Sequence, residues 1–350
     1  MRGKVKGTTM NALYSVLAVL ALVMAGFACG QSDPGRMVLA TLIPYAAFSV
    51  LLVGFCWRVV RWAAAPVPFH IPVTCGQQKS LAWIHSANID NPSTRWGVVG
   101  RMAAEILLFR SLFRNHRARL STGRLILGES TALWFCSLAL HWSLLVILLR
   151  HLRLFLEPVP AFINALKRLD GFFQLGTPQL YLSDVILVSA LAWLLFRRFR
   201  DPVVRFISLF FDYFALFLLL AIAVTGILMR YFMRVDIFSV KQLALSLAAF
   251  RPSVPQALSS LFLCHLLLVC VLAAYLPFSK LMHMGGVFLS PTRNLANNSR
   301  RRRHINPWNV PVKTHSYAEW EEEFRAKMQA AGMSTEMEDG ARDAGNARTD

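Results

Sequence analysis

Charge is what this 350-residue sequence has little of. Asp, Glu, Lys and Arg make up only 16% of it, against about 25% in an ordinary soluble domain. The acidic share is the smaller, 19 residues against 37 Lys and Arg. Cysteines are few and unpatterned: Cys29, Cys56, Cys75, Cys136, Cys264 and Cys270 show no CxxC spacing and mostly lie inside apolar runs. They read as small buried hydrophobes and suggest neither a disulfide framework nor an iron–sulfur or zinc site. No GxGxxG, no Walker pattern, no internal repeat and no soluble catalytic domain is visible.

What is present is apolar. Hydrophobic residues make up 55% of the chain and the mean hydropathy is +0.46, outside the soluble globular range. A hydrocarbon core of about 30 Å needs about 20 mostly apolar helical residues. Six runs qualify: Leu13 to Ala28, Val38 to Cys56, Ala132 to Leu149, Leu182 to Phe196, Phe206 to Met229 and Leu258 to Phe278. The expected fold is therefore all-α, a polytopic membrane protein of about six transmembrane helices. The first run, with Arg2, Lys4 and Lys6 before it and Ala28-Cys29 after it, also allows a signal peptide or lipoprotein signal, although Gly26 and Phe27 suit an acylated cysteine poorly. Met10 is an alternative start.

A net charge of +18 invites a nucleic-acid reading, but the cations gather between spans, so no nucleic acid is expected. Arg58 to Arg124 follow span two, Arg197, Arg198, Arg200 and Arg205 join spans four and five, and Arg300 to Arg303 follow span six. With six spans these all lie on one side, which the positive-inside rule makes the cytoplasm. The expectation is a multi-pass protein of a bacterial cytoplasmic (inner) membrane with both termini cytoplasmic.

Four parts follow: residues 1–59 with two spans, a cytoplasmic loop over 60–130, a core over 131–290 and a cytoplasmic tail over 291–350. In the loop, GRMAAEILLFRSLFRNHRARL places Met102, Ile106, Phe109 and Phe113 at helical spacing with Arg110, Arg114 and Arg117 on another face. Such a basic amphipathic helix suits anionic membrane lipid or a soluble partner. Arg300 to Arg303 read as a lipid-facing stop. In the tail, YAEWEEEFRAKMQA reads as an acidic helix with a Trp320, Phe324, Met328 stripe, and residues from Ser334 read as disordered.

Ionisable groups inside spans are costly and usually mark function. Of nine histidines, His70, His85, His116, His304 and His315 lie in cytoplasmic loops, where a solvated or interfacial role is expected. His141 and His151 remain at span three, His265 and His283 at span six. Ten residues separate the first two by about 15 Å and about 80° of rotation; eighteen residues make five turns, about 27 Å, so His265 and His283 share a face. The spans run antiparallel, so His141 meets His283 and His151 meets His265. Neutral imidazole is a haem-iron ligand, and two axial ligands suit electron transfer. Pro277 is expected to kink span six. Met282 and Met284 flank His283 but project to other faces.

These residues resemble the NarI-type cytochrome b family, the gamma subunits of respiratory nitrate reductases, whose two b haems are held by histidine pairs at these two spacings. IPVTCGQQKSLAWIHSANIDNPSTRWGVVGRMAAEILLFRSLFRN, HWSLLVILLRHLRLFLEPVP and PFSKLMHMGGVFLSPTRN are similar more narrowly to the DsrM type, the membrane cytochrome b of sulfite-reduction-associated DsrMKJOP complexes. The resemblance covers residues 38 to 310 and implies two haem b groups: iron on His141 and His283 near the cytoplasm, and on His151 and His265 near the outer face. The nitrate-reductase relatives have five spans, so the extra N-terminal span departs from them and agrees with the DsrM type. Their quinol binds near the outer haem with help from a basic residue in the next loop, a place that Lys167 or Arg168 occupies here. The implied role is electron transfer between menaquinone or ubiquinone and a cytoplasmic DsrK-like iron–sulfur subunit, in an oxidoreductase complex of sulfur metabolism.

The competing reading is a haem-free anchor or a transporter subunit with a histidine proton relay. A proton path calls for carboxylates within the spans, yet Asp184, Asp212 and Asp236 lie near span ends or stand alone.

Overall fold

The computed structural model describes residues 2–350 apart from 66, 68, 69, 72, 74, 75, 115, 122, 123, 172–177, 301–313, 334 and 336–350. The helices in chain order begin with α1 (Arg2–Cys29) and α2 (Asp33–Met37), the latter running through a π-helical turn, Val38–Leu42, into α3 (Ile43–Ala63). Then come α4 (Arg95–Leu108), α5 (Arg110–Phe113), a hairpin of β1 (His116–Ser121) and β2 (Arg124–Glu129), α6 (Thr131–His151) and α7 (Ala161–Asp170). The chain continues with α8 (Leu182–Arg200), α9 (Pro202–Ile207), α10 (Phe210–Ile227), α11 (Ile237–Ala248), α12 (Ser260–Tyr275), α13 (His283–Gly286) and α14 (Tyr317–Ala330).

Among the described residues, five stretches are long and apolar enough to cross a membrane: Met10–Cys29, Asp33–Ala63, Thr131–Leu154, Phe210–Phe232 and Ser260–Phe278. The protein is an all-α polytopic membrane protein in architecture, the hairpin being a local addition. The remaining expected span, the fourth, is α8, which ends in Arg197, Arg198 and Arg200 and so has a shorter apolar stretch. It packs against both α6 and α10. Leu17, Leu52, Val53, Phe135 and Leu148 are exposed, as lipid-facing side chains of such helices must be.

Lipid is as apolar as leucine, so these helices associate through close packing rather than through the hydrophobic effect. Glycines permit it at α1 and α3. A Cβ on Gly26 would stand 3.0 Å from Cys264 Cα, and one on Gly54 would stand 2.8 Å from Pro277 Cβ. Three buried clusters result. Val19, Phe214, Leu218, Cys264 and Leu268 join α1, α10 and α12. Leu140, Leu187, Ala190 and Leu191 join α6 and α8, with Leu216, Leu219 and Leu220 of α10 against them. Leu39, Ala40, Val240, Leu243, Leu258 and Leu263 hold the start of the second span against α11 and α12.

Two expectations are corrected. The last span is not one helix from His265 to His283. Pro277 has no N–H to continue the ladder, so α12 stops at Tyr275 and the chain passes through two 3-10 turns, Leu276–Phe278 and Lys280–Met282, before α13. His283 thus opens a separate short helix, and the five-turn argument for a shared face does not hold.

Nor does a basic amphipathic helix run on to Leu120. After Leu108, Phe109 adopts left-handed backbone (φ 51°, ψ 46°), α5 makes one turn and the hairpin begins at His116, with Ser121 opposite Arg124. Two indoles of α6 stop α4: Trp142 Nε1 donates to the Leu107 carbonyl (3.1 Å) and Trp134 Nε1 to that of Leu108 (2.7 Å), taking acceptors a continuing helix would use. Of the expected basic face, Arg110 is bound to Asp90, and the side chain of Arg117 lies outside the described residues.

Beyond Arg302 lies a second unit, of which residues 314–333 and Thr335 are described. Its helix α14 opens with a capping box, in which Glu319 N donates to Ser316 Oγ (3.3 Å) and Ser316 N to Glu319 Oε2 (2.9 Å). The Trp320 ring meets Tyr317 and Phe324 at centroid separations of 5.9 and 5.5 Å. Arg301 to Arg303, His304 and the tail from Ser334, Thr335 apart, lie outside the described residues.

Candidate functional site

Three of the four candidate histidines share one local device. On α6, His141 Nδ1 lies 2.7 Å from the Ser137 carbonyl and His151 Nδ1 lies 2.7 Å from the Ile147 carbonyl, each a turn back along the helix. His283 Nδ1 lies 2.9 Å from the Lys280 carbonyl. A carbonyl only accepts, so each Nδ1 carries the proton. His265 Nδ1 instead reaches Thr225 Oγ1 on α10 (2.8 Å), which is also within reach of the Ala221 (2.8 Å) and Ile222 (3.0 Å) carbonyls. The threonine has one proton and a carbonyl takes it, so its oxygen accepts from His265. All four rings are thereby fixed in the tautomer that leaves Nε2 as a free donor of electron pairs.

Two of the rings are brought together. His141 and His283 have centroids 5.9 Å apart and planes at 79°. A metal–imidazole bond of about 2 Å, with the ring centre about 1 Å behind the nitrogen, places two imidazoles on opposite sides of one metal about 6 Å apart. The donor chemistry and the spacing therefore suit a metal-centred group held from both sides. His151 and His265 lie within electrostatic range of each other. A Cβ on Gly226 would stand 3.5 Å from His265 Cε1, so the glycine leaves room beside that ring.

Next to His141, the left-handed turn at Phe109 delivers its ring edge-on to the imidazole, at 4.9 Å and 87°. A cap of loop and short helices continues from there. Ile71 N donates to the Pro291 carbonyl (3.3 Å), Asn297 N to that of Pro92 (2.7 Å), and Asn297 Nδ2 to Asn91 Oδ1 (3.0 Å), so Ile71, Asn91 and Pro92 are knitted to the chain that follows His283. Arg110 grips both oxygens of Asp90, at 2.7 and 3.0 Å. Burial alone would raise the Asp90 carboxyl, but the Arg110 hydrogen bond and the charges of Arg110, Arg114 and Arg101 hold it below the usual carboxylate range. His70, expected in a solvated or interfacial role, is buried in the structure.

Beside His151 lies a cluster that sequence reading missed. Arg150 is buried, 3.2 Å from Asp170 Oδ2 and 2.7 Å from Asp184 Oδ1. The guanidiniums of Arg150 and Arg230 each stand 3.8 Å from the centre of the Tyr181 ring, so they occupy its opposite faces. Tyr231 Oη donates to Asp184 Oδ2 (2.9 Å) and accepts from Tyr181 N (3.0 Å). Ser183 donates to Asp170 through both N (2.8 Å) and Oγ (2.7 Å). The Tyr181 hydroxyl is buried, with the charge of Arg153 acting on it. Charges of Arg150, Arg153 and Asp184 all act on His151. Lys167 and Arg168, the basic residues expected at this end, are exposed in the last turn of α7, one turn from Asp170. Arg150, adjacent in sequence to His151 and inside a span, was the one signal in the sequence for the cluster.

A family model described as the nitrate reductase gamma subunit matches residues 93–301. The chain belongs to the nitrate reductase gamma subunit family. The matched stretch of this gamma-subunit-family chain contains all four histidines, the Arg150 cluster and the cap from Thr94 on, and leaves α1 to α3 outside it. The chain is also similar to an Archaeoglobus fulgidus protein named Hdr-like menaquinol oxidoreductase cytochrome b-like subunit. They are 43% identical over 279 residues, which cover 78% of this chain and 83% of that protein. A protein of the same name from Archaeoglobus profundus is 42% identical over 273 residues, covering 76% and 81%.

Proposed function

We propose that this chain is a dihaem b-type cytochrome that takes electrons from a membrane quinol and delivers them to a cytoplasmic iron–sulfur subunit. One observation carries the reading: four imidazoles each have Nδ1 bonded to the protein and Nε2 free, and two of them, His141 and His283, stand 5.9 Å apart. His141 and His283 hold one haem b and His151 and His265 the other, with residues 131–290 as the core. When bound, the two haems pass single electrons from one face of the membrane to the other.

The protein's own part is to fix each ligand ring, to exclude water with the packed clusters of α1, α6, α8, α10 and α12, and to offer the quinol a polar end of the bundle. Quinol oxidation releases two electrons and two protons. The His151 end is the one equipped for it, because Arg150, Asp170, Tyr181, Asp184, Arg230 and Tyr231 supply charge and hydroxyls there and α7 brings Lys167 and Arg168 to the surface. The names of the Archaeoglobus relatives favour menaquinol over ubiquinol. The partner is then a DsrK-like, heterodisulfide-reductase-like protein of a DsrMKJOP-type complex in sulfur metabolism, with this chain as the DsrM-type subunit of the cytoplasmic membrane and both termini on the cytoplasmic side. The proton-relay alternative finds less support, since Asp212 is bound to Lys280 (2.7 Å) and Asp236 caps α11 (Phe238 N, 3.0 Å), both as helix-terminus groups.

A reduced-minus-oxidised spectrum of the purified chain tests this. A b-type band amounting to two haems per chain, developed by a menaquinol analogue, supports it, and absence of a haem band refutes it.

A further inference from the structure

We infer that α4 is a re-entrant membrane element, with lipid hydrocarbon against its Trp96, Val99, Ala103 and Leu107 face. This rests on the membrane architecture and is independent of the dihaem reading above.

For a helix in water, α4 is inside out. At about 100° per residue, Trp96, Val99, Gly100, Ala103, Ile106 and Leu107 fall within a sector of about 120°. All six are exposed. Trp96 is 85% exposed, and a Cβ on Gly100 would meet nothing within 4 Å. The interior charges of the helix point the other way. Glu105 accepts from Ser111 N (3.0 Å) and Ser111 Oγ (2.6 Å) and pairs with Arg293 (3.0 Å). Arg101 is buried, within reach of Ser111 Oγ (3.5 Å) and of the charge of Asp90. Arg95, the first residue, is the one exposed charge of α4. A helix bordered by water shows the opposite arrangement, whereas charges turned inward and apolar groups turned outward suit a helix bordered by lipid.

Depth selects hydrocarbon over a water-soluble protein as the occupant. Trp142, whose Nε1 donates to the Leu107 carbonyl, lies near the middle of the Thr131–Leu154 stretch, about 16 Å along the helix from its start. Phe135, Trp142 and Leu145 are exposed on α6, so the apolar face of α4 continues a surface that lipid already covers. Ending a helix at that depth would leave carbonyls unpaired in hydrocarbon, and the indoles of Trp142 and Trp134 pair those of Leu107 and Leu108. The 14 residues of α4 extend about 21 Å, too short for a core of about 30 Å, so the chain returns on the side it entered. Phe113 follows that course: its ring lies 5.0 Å from Trp134, about two turns nearer the start of α6 than Trp142.

The test uses the full chain reconstituted in phosphatidylglycerol vesicles. Benzoylphenylalanine in place of Ala103, in the otherwise native chain, is irradiated and the mass of the protein is read. A one-phospholipid adduct is expected, in a yield comparable to that from the same probe at Phe135 of α6. An adduct at Phe135 with none at Ala103 overturns the inference. Depth is read from a nitroxide on Ala103→Cys in a chain whose native cysteines are replaced by alanine. Oxygen, which concentrates in hydrocarbon, is expected to collide with that label several-fold more often than a water-soluble nickel chelate does. A label reached mainly by nickel puts the face in water, and one that neither reaches puts it beneath a second copy of the chain; either result overturns the inference. The photolabelled chain keeps its cysteines and decides the matter where the cysteine-free chain fails to fold.

Discussion

Phe109 meets the His141 imidazole edge-on, with ring centroids 4.9 Å apart, and does so from a left-handed backbone that places it between α4 and α5. That conformation costs an ordinary residue roughly 1–2 kcal/mol, which glycine avoids. The contact thus couples a strained turn in the cap to an imidazole of α6.

The two effects separate by substitution. Phe109→Ala and Phe109→Gly both lose the aromatic contact, but the glycine variant is expected to be more stable than the alanine variant by about 1 kcal/mol. Thermal unfolding in detergent reads the stability. On the proposed function, both variants should shift the midpoint potential of one haem, the one at His141, and leave the other in place. Equal stability of the two variants would show that the turn is not held as described.

Thr225 controls the orientation of His265 by accepting from its Nδ1. Removing such a hydrogen bond behind a ligand typically weakens binding by about 10–100-fold. Thr225→Val, which keeps the shape and loses the hydroxyl, should therefore release the haem at His151 and His265 upon dilution while retaining the one at His141 and His283. Thr225→Ser should restore it. A valine variant that holds both haems as firmly as the parent would remove the threonine from the account.

Asp90 carries a pH dependence. Its carboxyl titrates lower in the folded cap than in the unfolded chain, where about 3.9 is usual, so its contribution is full above that value and is lost as pH falls through the lower folded value. The segment around Asp90 and Arg110 should resist proteolysis and hydrogen exchange at pH 6 and open below about pH 4. In Asp90→Asn it should be loosened at both, by an amount of order 1–3 kcal/mol, the worth of the charge-assisted pair. Protection independent of pH in the parent would contradict the pairing with Arg110.

The spans were legible in the sequence because lipid demands long apolar runs, and the histidines because imidazole in such runs needs a reason. His141 and His283 do meet, although the helical arithmetic that placed His283 assumed a continuous helix that Pro277 ends. The hairpin at His116 was hidden because its arginines and leucines also fit a helical face, while alternation in RARL and RLIL around Thr122-Gly123 was the competing signal. The Arg150 cluster draws on α6, α7, α8 and the turn after α10, and such convergence of distant segments leaves no local pattern. Arg101 was not singled out in the sequence, because burial of a single residue cannot be read from a periodic pattern.

The central claim is that haem is gripped by these particular pairs, and counting haems per chain in the four single alanine variants tests it most directly. His141→Ala and His283→Ala should each lose one haem with the same potential, and His151→Ala and His265→Ala should each lose the other. Variants of one pair that lose different haems, or any of the four that retains both, would contradict it.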